Sequence, residues 1–270
     1  MKKGACFGVF SPSELGFSDT AFFYRHWLPA KIRNRASRTL KRATEGFRLR
    51  GHWGEEVSRY FNVSLEEAEK KALEKAGQWN KFLRKSEQDY RSYYLETDHE
   101  CYRQPWYHRH DCWYEILSVS SPGARILDYG CGVGMMASWI LKKRPDLKLT
   151  LADIPSQTFQ FSRWRLGDKV QFLEIGPSDQ AFPEAGPFDL IVCQEALNHI
   201  INPLDVIHYF YDHLKPGGYL FTDFTSKPGE AHLFESECQR RDVLVFLNSR
   251  LKPVRPLNDI SHETGVYRKP

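Results

Sequence analysis

The segment Ile126–Gly134 constrains the fold of this chain more than any other part of the sequence. It is a short apolar run that ends in an acid and is followed by three glycines at alternate positions, Gly130, Gly132 and Gly134. The residues after it carry apolar side chains at helical spacing, so the pattern predicts a buried strand that turns sharply into a helix. Glycines at such a turn let backbone N–H groups approach a ligand at the helix N-terminus, where partial positive charge accumulates. The segment therefore predicts a site for a nucleotide-like cofactor.

The spacing of the glycines helps to identify the cofactor. A dinucleotide site normally has the pattern G-x-G-x-x-G, which would require a glycine at position 135, where this chain has Met135. The G-x-G-x-G form found here resembles the first motif of the class I S-adenosylmethionine-dependent methyltransferases. Because a glycine loop alone is a weak signal, the resemblance depends on the segments that lie further along the chain.

Three later segments continue the resemblance in order. They look like the family's second strand, its fourth strand with the loop after it, and its fifth strand with the preceding turn: Leu147–Asp153, Phe188–His199 and Leu214–Asp223. The resemblance implies an α/β fold with a Rossmann-like, seven-stranded, mostly parallel sheet that carries helices on both faces. It also implies S-adenosyl-L-methionine as the cofactor.

The composition changes near Ser118–Gly123, and we place a domain boundary there. Residues 119–270 would form the S-adenosylmethionine-binding domain, in which strands and helices alternate and two short strands near Val254–Leu257 and Thr264–Arg268 form a terminal antiparallel pair. Residues 1–118, which we call the accessory region, would be mainly helical and act as a lid over the substrate. Its helical segments are expected at Glu55–Tyr60 and Leu65–Asp89.

The resemblance assigns a set of residues to the cofactor. Asp153 would accept hydrogen bonds from the ribose hydroxyls, since a carboxylate is a strong acceptor, although it could instead be a helix N-cap. Asp128 would lie near the methionine ammonium group or brace the loop. The acid that often contacts adenine is missing at Gly176, so Asp179 or a backbone carbonyl would replace it. The full set expected at the cofactor is Asp128, Gly130, Gly132, Gly134, Asp153, Ile154, Asp179 and Gln194.

Catalytic candidates lie in the segment after the fourth strand, which borders the transferable methyl group in the family. Orientation of the reactants supplies most of the acceleration in methyl transfer, and a general base is needed only for a protonated nucleophile. His199, which can titrate near neutral pH, and Glu195 are the candidates. The alternative for His199 is packing at the start of a helix.

The segment Tyr90–Tyr114 is rich in tyrosine, tryptophan and histidine. It would either fold over the cofactor as an aromatic lid or pack the accessory region onto the sheet. Cys101, His108, His110, Asp111 and Cys112 also suggest a zinc site, but no paired C-x-x-C spacing supports it, so we expect no metal.

The segment 25–50 holds nine lysines and arginines against one acid and has apolar residues at helical spacing. Three interpretations remain open for this basic amphipathic helix. It could be a solvated surface helix, a binding site for an anionic partner such as nucleic acid, or a membrane-surface attachment.

The sequence predicts a methyltransferase that acts on an oxygen, nitrogen or carbon atom of a small molecule, in specialised metabolism. An RNA methyltransferase that uses segment 25–50 is one alternative, although the Asn-Pro-Pro-Tyr type of motif is missing. A non-catalytic, cofactor-binding regulatory subunit is another. No apolar run approaches the roughly 20 residues of a transmembrane helix, and the six scattered cysteines suit reduced thiols, so we expect a cytoplasmic protein. The oligomeric state is left open.

Overall fold

A computed structural model describes residues 52–75, 86–98, 100–102, 104, 112–176, 185–224, 234–257 and 264–270. The basic segment 25–50 and Asp179 lie outside the described residues. Within them, no helix is both long enough and apolar enough to span a membrane.

In the described part of the accessory region, the helices with defined bounds are α1 (His52–Phe61), α2 (Leu65–Lys75) and α3 (Glu87–Glu96), and α4 (Trp113–Val119) leads into the sheet. A capping box starts α3, because Ser86 Oγ accepts the Asp89 N–H while the Asp89 carboxylate accepts the Ser86 N–H. This cap fixes where α3 begins and hence which of its side chains reach the sheet.

The rest of the described chain alternates between strands and helices. In order, the elements are β1 (Arg125–Tyr129), α5 (Met135–Lys143), β2 (Lys148–Asp153), α6 (Gln157–Leu166), β3 (Gln171–Glu174), β4 (Phe188–Cys193), α7 (Pro203–His213), β5 (Leu214–Thr222), α8 (Phe234–Arg250), β6 (Lys252–Arg255) and β7 (Gly265–Arg268). Short 3₁₀ turns follow α6 and β4, at Gly167–Lys169 and Leu197–His199.

The seven strands form one sheet in the order β3-β2-β1-β4-β5-β7-β6. Strands β1 to β5 pair in parallel, whereas β7 pairs antiparallel with both β5 and β6. The predicted mostly parallel, seven-stranded sheet with a terminal antiparallel pair is therefore confirmed. Because the first five strands are parallel, their carboxyl ends meet at a single edge of the sheet, which we call the carboxyl edge.

Side chains that alternate along the strands build a core on each face of the sheet. Ile126 and Val192 pack on the face that carries α1, α2, α4, α5 and α6. Leu127 and Ile191, one residue further along or back, pack on the opposite face with α7 and α8. Helices thus cover both faces as expected, and the carboxyl edge is left to the loops.

A buried ion pair joins the accessory region to the glycine loop. Arg165 of α6 lies 2.8 Å from Glu56 of α1, and the Arg165 side chain is 1% exposed. Arg165 also donates a hydrogen bond to the Val133 carbonyl. Burial lowers the pKa of Arg165 to about 10, against the opposing effect of the Glu56 carboxylate. The accessory helix α1 is therefore bound to the same loop that the sequence assigns to the cofactor.

Candidate active site

The glycine loop, Gly130–Gly134, connects β1 to α5 at the carboxyl edge. Gly130, Gly132 and Gly134 all have φ between +53° and +74°, a left-handed conformation that favours glycine. Instead of pointing at open space, the loop N–H groups bond within the protein. Those of Gly130 and Cys131 donate to the Ala152 carbonyl at 2.8 and 3.2 Å. The glycines therefore serve the close approach of neighbouring residues, and their contact with a cofactor stays a prediction.

Two glycines of this loop leave room for residues from elsewhere in the chain. A Cβ atom at Gly130 would lie 2.6 Å from the Ala196 Cβ, in the loop after β4. A Cβ atom at Gly132 would overlap Gln104 Oε1, which accepts a hydrogen bond from the Val133 N–H at 3.0 Å. A side chain from the accessory region thus lies directly against the glycine loop.

Asp153, at the end of β2, is bonded to this loop. Its Oδ2 accepts the Gly132 N–H at 2.6 Å and its Oδ1 accepts the Ile154 N–H at 2.8 Å. Desolvation raises the pKa of Asp153 to about 6, although the two N–H groups act in the opposite direction. Each carboxylate oxygen has a further lone pair, so the side chain can still accept from a diol. Capping of α6 falls to Ser156, whose Oγ accepts the Phe159 N–H, and this removes the N-cap alternative for Asp153.

Asp128 lies on β1, beside Leu151 of β2 and Val192 of β4. It is 7% exposed, and no hydrogen bond or ion pair joins its carboxylate to any residue in the described part of the chain. Burial and the nearby Asp153 charge raise the pKa of Asp128 to about 7. A buried carboxylate is costly without a partner, and the contact of Asp128 with the cofactor stays a prediction.

The loop after β4, residues 194–199, is held by residues from several directions. Gln194 Nε2 donates to Thr264 Oγ1 at 2.7 Å, and the Cys112 thiol, next to α4, donates to Gln194 Oε1 at 3.3 Å. The Ser236 hydroxyl of α8 donates to the Leu197 carbonyl at 2.7 Å. The Gln194 side chain thus joins this loop to the two segments that flank the sheet, and its contact with the cofactor stays a prediction.

Glu195 has φ of +52°, which is a strained conformation for a residue with a side chain. Its N–H donates to Asp223 Oδ1 at 2.7 Å. Asp223 follows β5, is 6% exposed, and has its pKa raised to about 7 by burial, against the effect of that hydrogen bond. The sequence did not single out Asp223, although it ends the segment that resembles the fifth strand.

His199 ends the 3₁₀ turn of this loop and lies against the accessory region. Its ring is 5.0 Å from the ring of Tyr90, centroid to centroid, with an interplanar angle of 33°. Tyr90 is on α3 and is 2% exposed. The contact orients the imidazole at the carboxyl edge, where a general base would have to lie.

The residue after Tyr90 reaches the opposite side of the site. Arg91 donates a hydrogen bond to the carbonyl of Gly176, beyond the end of β3. Gly176 is the position where the sequence lacks the expected adenine-contacting acid. Helix α3 therefore spans the carboxyl edge from the β3 side to the loop after β4. Nothing in the sequence indicated that Arg91 or Gln104 would lie there, because both contacts join distant parts of the chain.

Other aromatic residues of the segment Tyr90–Tyr114 pack the accessory region together. Tyr102 stacks on Phe61, with 4.6 Å between centroids, and Trp113 and Tyr114 both contact Trp139 of α5. Both interpretations of the segment thus find support, since Tyr90 reaches the site while the others pack. Within the described residues no cluster of histidine, cysteine and acidic side chains could hold a metal, and His108, His110 and Asp111 lie outside them.

The strand order, the glycine loop and the acid at the end of β2 define a class I S-adenosylmethionine-dependent methyltransferase fold. A family model described as a methyltransferase domain matches residues 106–249, more than half of the chain. The chain belongs to this methyltransferase-domain family.

Curated relatives match a shorter part of the chain. The ubiquinone biosynthesis O-methyltransferase of Bordetella avium (strain 197N) is 28% identical over 125 residues, which cover 45% of this chain and 51% of that protein. The protein of that name from Xanthomonas campestris pv. campestris (strain B100) is 32% identical, with 40% of this chain and 46% of that protein covered. The matched part of this chain spans about half the length of these curated relatives.

Solved structures also resemble the fold. The N-methyltransferase NodS from Bradyrhizobium japonicum WM9, in complex with S-adenosyl-L-homocysteine, has a TM-score of 0.48 at 19% identity, covering 68% of this chain and 98% of that one. A TehB-like SAM-dependent methyltransferase from Corynebacterium glutamicum has a TM-score of 0.47 at 17% identity, covering 60% and 89%.

The cofactor of this class, S-adenosylmethionine, fits the residues present at the carboxyl edge. It carries a ribose diol, an ammonium group and a sulfonium. Asp153 has acceptor capacity left for the diol, and the buried Asp128 carboxylate lacks a positive or hydrogen-bonding partner among the described residues. The chemistry of the two acids therefore matches that of the cofactor.

Proposed function

We propose that the protein methylates a hydroxyl group of a small molecule, with S-adenosylmethionine as the donor. The observation that carries the proposal is the carboxyl edge itself, where Asp128 and Asp153 adjoin the loop that presents His199. The choice of oxygen over nitrogen or carbon is supported by the O-methyltransferase names of the curated relatives.

Bound S-adenosylmethionine supplies a methyl group that is already activated on a positively charged sulfur. The residues of the chain then have to hold the donor, orient the acceptor and remove a proton. Asp153 would accept the ribose hydroxyls and Asp128 would face the ammonium group. His199, with its ring set by Tyr90, would take the proton from the acceptor hydroxyl as it reacts.

Helix α3 would close the acceptor site from above. Tyr90 contacts the loop after β4, and Arg91 contacts the loop after β3, so one helix spans both sides of the site. A site closed in this way excludes water from the reacting atoms.

The free, buried Cys112 and Cys193 support the proposal of a reducing, cytoplasmic location.

The test begins with the donor and proceeds to the acceptor. Calorimetric titration with S-adenosylmethionine should show binding, and incubation with methyl-labelled donor and a fractionated cell extract should place label in a small molecule. Label recovered in RNA would contradict the proposal in favour of the nucleic-acid alternative. Binding without any transfer would favour the regulatory subunit.

Once the product is identified, a histidine substitution tests the base. His199→Ala should lower turnover on the order of a hundredfold, while the dissociation constant for the donor stays near the wild-type value. His208→Ala, which changes an exposed histidine of α7, is the matched control. Unchanged turnover in His199→Ala would show that another group, or none, removes the proton.

A further inference from the structure

Three acids lie at the carboxyl edge across four consecutive strands of the sheet; Asp128 and Asp223 are buried and Asp153 is partly buried. Asp153 ends β2, Asp128 lies on β1, and Asp223 follows β5, with β4 between β1 and β5. The register sets Asp128 beside Val192, and the residue after Val192 pairs with Thr222, next to Asp223. Since neighbouring strands are about 4.8 Å apart, the three carboxylates share one strip of roughly 15 Å.

The hydrogen bonds of these acids leave most of their charge uncompensated. Asp153 accepts two backbone N–H groups, Asp223 accepts one, and Asp128 accepts none from the described residues. No lysine or arginine of the described chain forms an ion pair with any of the three. Asp128, which is 7% exposed and has no partner among the described residues, is the clearest sign that a charged ligand belongs here.

Other titratable and charged groups face this strip from the surrounding elements. Among the described residues they include Tyr129 of β1, Cys131 of the glycine loop, Cys193 of β4, Glu195 and His199 of the loop after β4, Cys112 before α4, Tyr90 and Arg91 of α3, and Arg240 of α8. Arg91 donates to the Gly176 carbonyl on the β3 side, and Arg240 of α8 donates to the carbonyl of Phe224, next to Asp223. Both arginines bind backbone carbonyls, and within the described residues neither forms an ion pair with Asp128, Asp153 or Asp223, so the strip keeps a net negative charge when its acids ionise.

We propose that Asp223, together with Asp128 and Asp153, makes the cofactor site select the positively charged sulfonium donor over its uncharged thioether product. The inference rests on the proposed function, because it assigns a further specificity-determining residue to the same site. Asp223 acts through its charge and not solely by holding the Glu195 N–H. Nothing in the sequence resemblance assigned it a role.

The proposed selectivity follows from the loss of positive charge on sulfur during methyl transfer. When the acceptor oxygen takes the methyl group, the electron pair of the broken S–C bond stays on sulfur and the acceptor's proton passes to a base. S-adenosylhomocysteine therefore lacks the sulfonium charge of S-adenosylmethionine. A unit charge about 10 Å away, at an effective dielectric constant of about 20, changes the affinity for the charged ligand about tenfold.

The ionisation of the acids gives the selectivity a pH dependence. Burial raises the pKa of Asp128 and Asp223 to about 7 and that of Asp153 to about 6. A bound cation favours the ionised carboxylates, so the affinity for S-adenosylmethionine should rise between pH 5.5 and 7.5. The affinity for S-adenosylhomocysteine should rise less, because its sulfur is neutral.

The experiment measures dissociation constants of both compounds by calorimetry, with the full chain, at the two pH values. Asp223→Asn removes the charge but keeps an oxygen that can accept the Glu195 N–H. At pH 7.5 this substitution should weaken the binding of S-adenosylmethionine about tenfold and the binding of S-adenosylhomocysteine less than twofold. Asp242→Asn, which changes an exposed acid of α8, should alter neither.

Three outcomes would overturn the inference. An Asp223→Asn protein with the wild-type ratio of the two dissociation constants would reduce Asp223 to a brace of the loop. A wild-type ratio that is equal at both pH values would contradict the electrostatic origin, even if the variant did not fold. Wild-type protein that binds neither compound would remove the proposed function itself along with the inference.

Discussion

Acids at the two edges of the parallel sheet differ in their partners and in the direction of their pKa shifts. At the amino edge, Asp189 of β4 accepts a hydrogen bond from Lys215 at 2.8 Å and another from the Arg125 N–H at 2.8 Å. Burial acts to raise its pKa, but these donors outweigh burial and hold the pKa below its ordinary value. At the carboxyl edge, Asp128 has no such partner in the described residues, and its pKa is raised to about 7.

The difference separates acids that stabilise the fold from acids that are kept for a ligand. A paired acid is already ionised and bonded in the folded protein, so removing it weakens the fold. A buried acid without a partner destabilises the fold when it ionises, and the binding of a cation offsets this destabilisation. Substitutions at each kind of acid should therefore change stability in opposite directions.

The largest effect is expected at the buried pair of Glu56 and Arg165. Glu56→Gln leaves the Arg165 guanidinium buried without its counter-charge, and should lower the free energy of unfolding by about 3 kcal/mol. Glu67→Gln removes one partner of the exposed Glu67–Lys71 pair and should cost about 0.5 kcal/mol or less. Denaturant unfolding measures both, and equal losses would show that burial of the first pair has no energetic consequence.

Asp128→Asn should have the next largest effect, and in the opposite direction. The folded-state pKa of Asp128 lies above the unfolded value of about 4, so Asp128 destabilises the fold progressively as pH rises from about 4 to about 7, and the destabilisation is at its full value above pH 7. In cofactor-free protein at pH 8 the variant should gain about 2 kcal/mol, and the gain should shrink below pH 7 and disappear near pH 4, where Asp128 is protonated in the folded and the unfolded protein. Melting temperatures at the two pH values test this, and a variant less stable than wild type at pH 8 would contradict it.

Asp189→Asn should lose about 1 kcal/mol at pH 7, because the pair with Lys215 is partly exposed. A lowered folded-state pKa means that the stabilisation is present above the unfolded pKa of about 4 and is lost as pH falls below it. The difference in melting temperature from wild type should therefore shrink toward pH 3.5. A difference that grew on acidification would reverse the assignment of the two edges.

The smallest effect on stability is expected at Glu195, where the strain lies in the backbone conformation and does not involve the charge of the side chain. Glu195→Gly should stabilise the fold by about 0.5 kcal/mol, because glycine adopts the left-handed conformation without strain. Asn62→Gly, at the same φ of +52° but away from the site, should gain less, since asparagine tolerates this conformation. Thermal melts of both variants measure the gains, and a loss of stability in Glu195→Gly would mean that its side chain holds the loop.

Much of the fold could be predicted because several strands are visible in the sequence as apolar runs. The apolar runs that lead to Asp128 and Asp153 end where the structure ends β1 and β2, within one residue. The expected helix Leu65–Asp89 is wrong as a single helix, because α2 ends at Lys75 and Ser86 is an extended N-cap that starts α3. Another difference is in β5, which begins at Leu214 instead of Tyr219. Leu214 pairs with Phe188 before the register shifts, so the glycine-containing segment predicted as a turn is an irregular part of the strand.

The site could be predicted where its residues belong to a local motif. Asp128, Asp153 and the glycines are close in sequence, and they meet at the carboxyl edge as expected. Arg91 and Gln104 could not be found in this way, because their partners at Gly176 and Val133 are distant in the chain and packing of the accessory region brings them together. The roles assigned to Ile154, Gln194, Glu195 and His199 stay predictions, and Asp179 lies outside the described residues.

The position of α3 has a consequence for how the chain is assembled. Arg91 precedes its partner Gly176 by 85 residues, and Tyr90 precedes His199 by still more. During synthesis α3 therefore leaves the ribosome well before the loops that it will cover have been made. Helix α3 can pack over the carboxyl edge only after the strands and loops of the sheet have formed. Closure of the active site is therefore a late step in the folding of the chain.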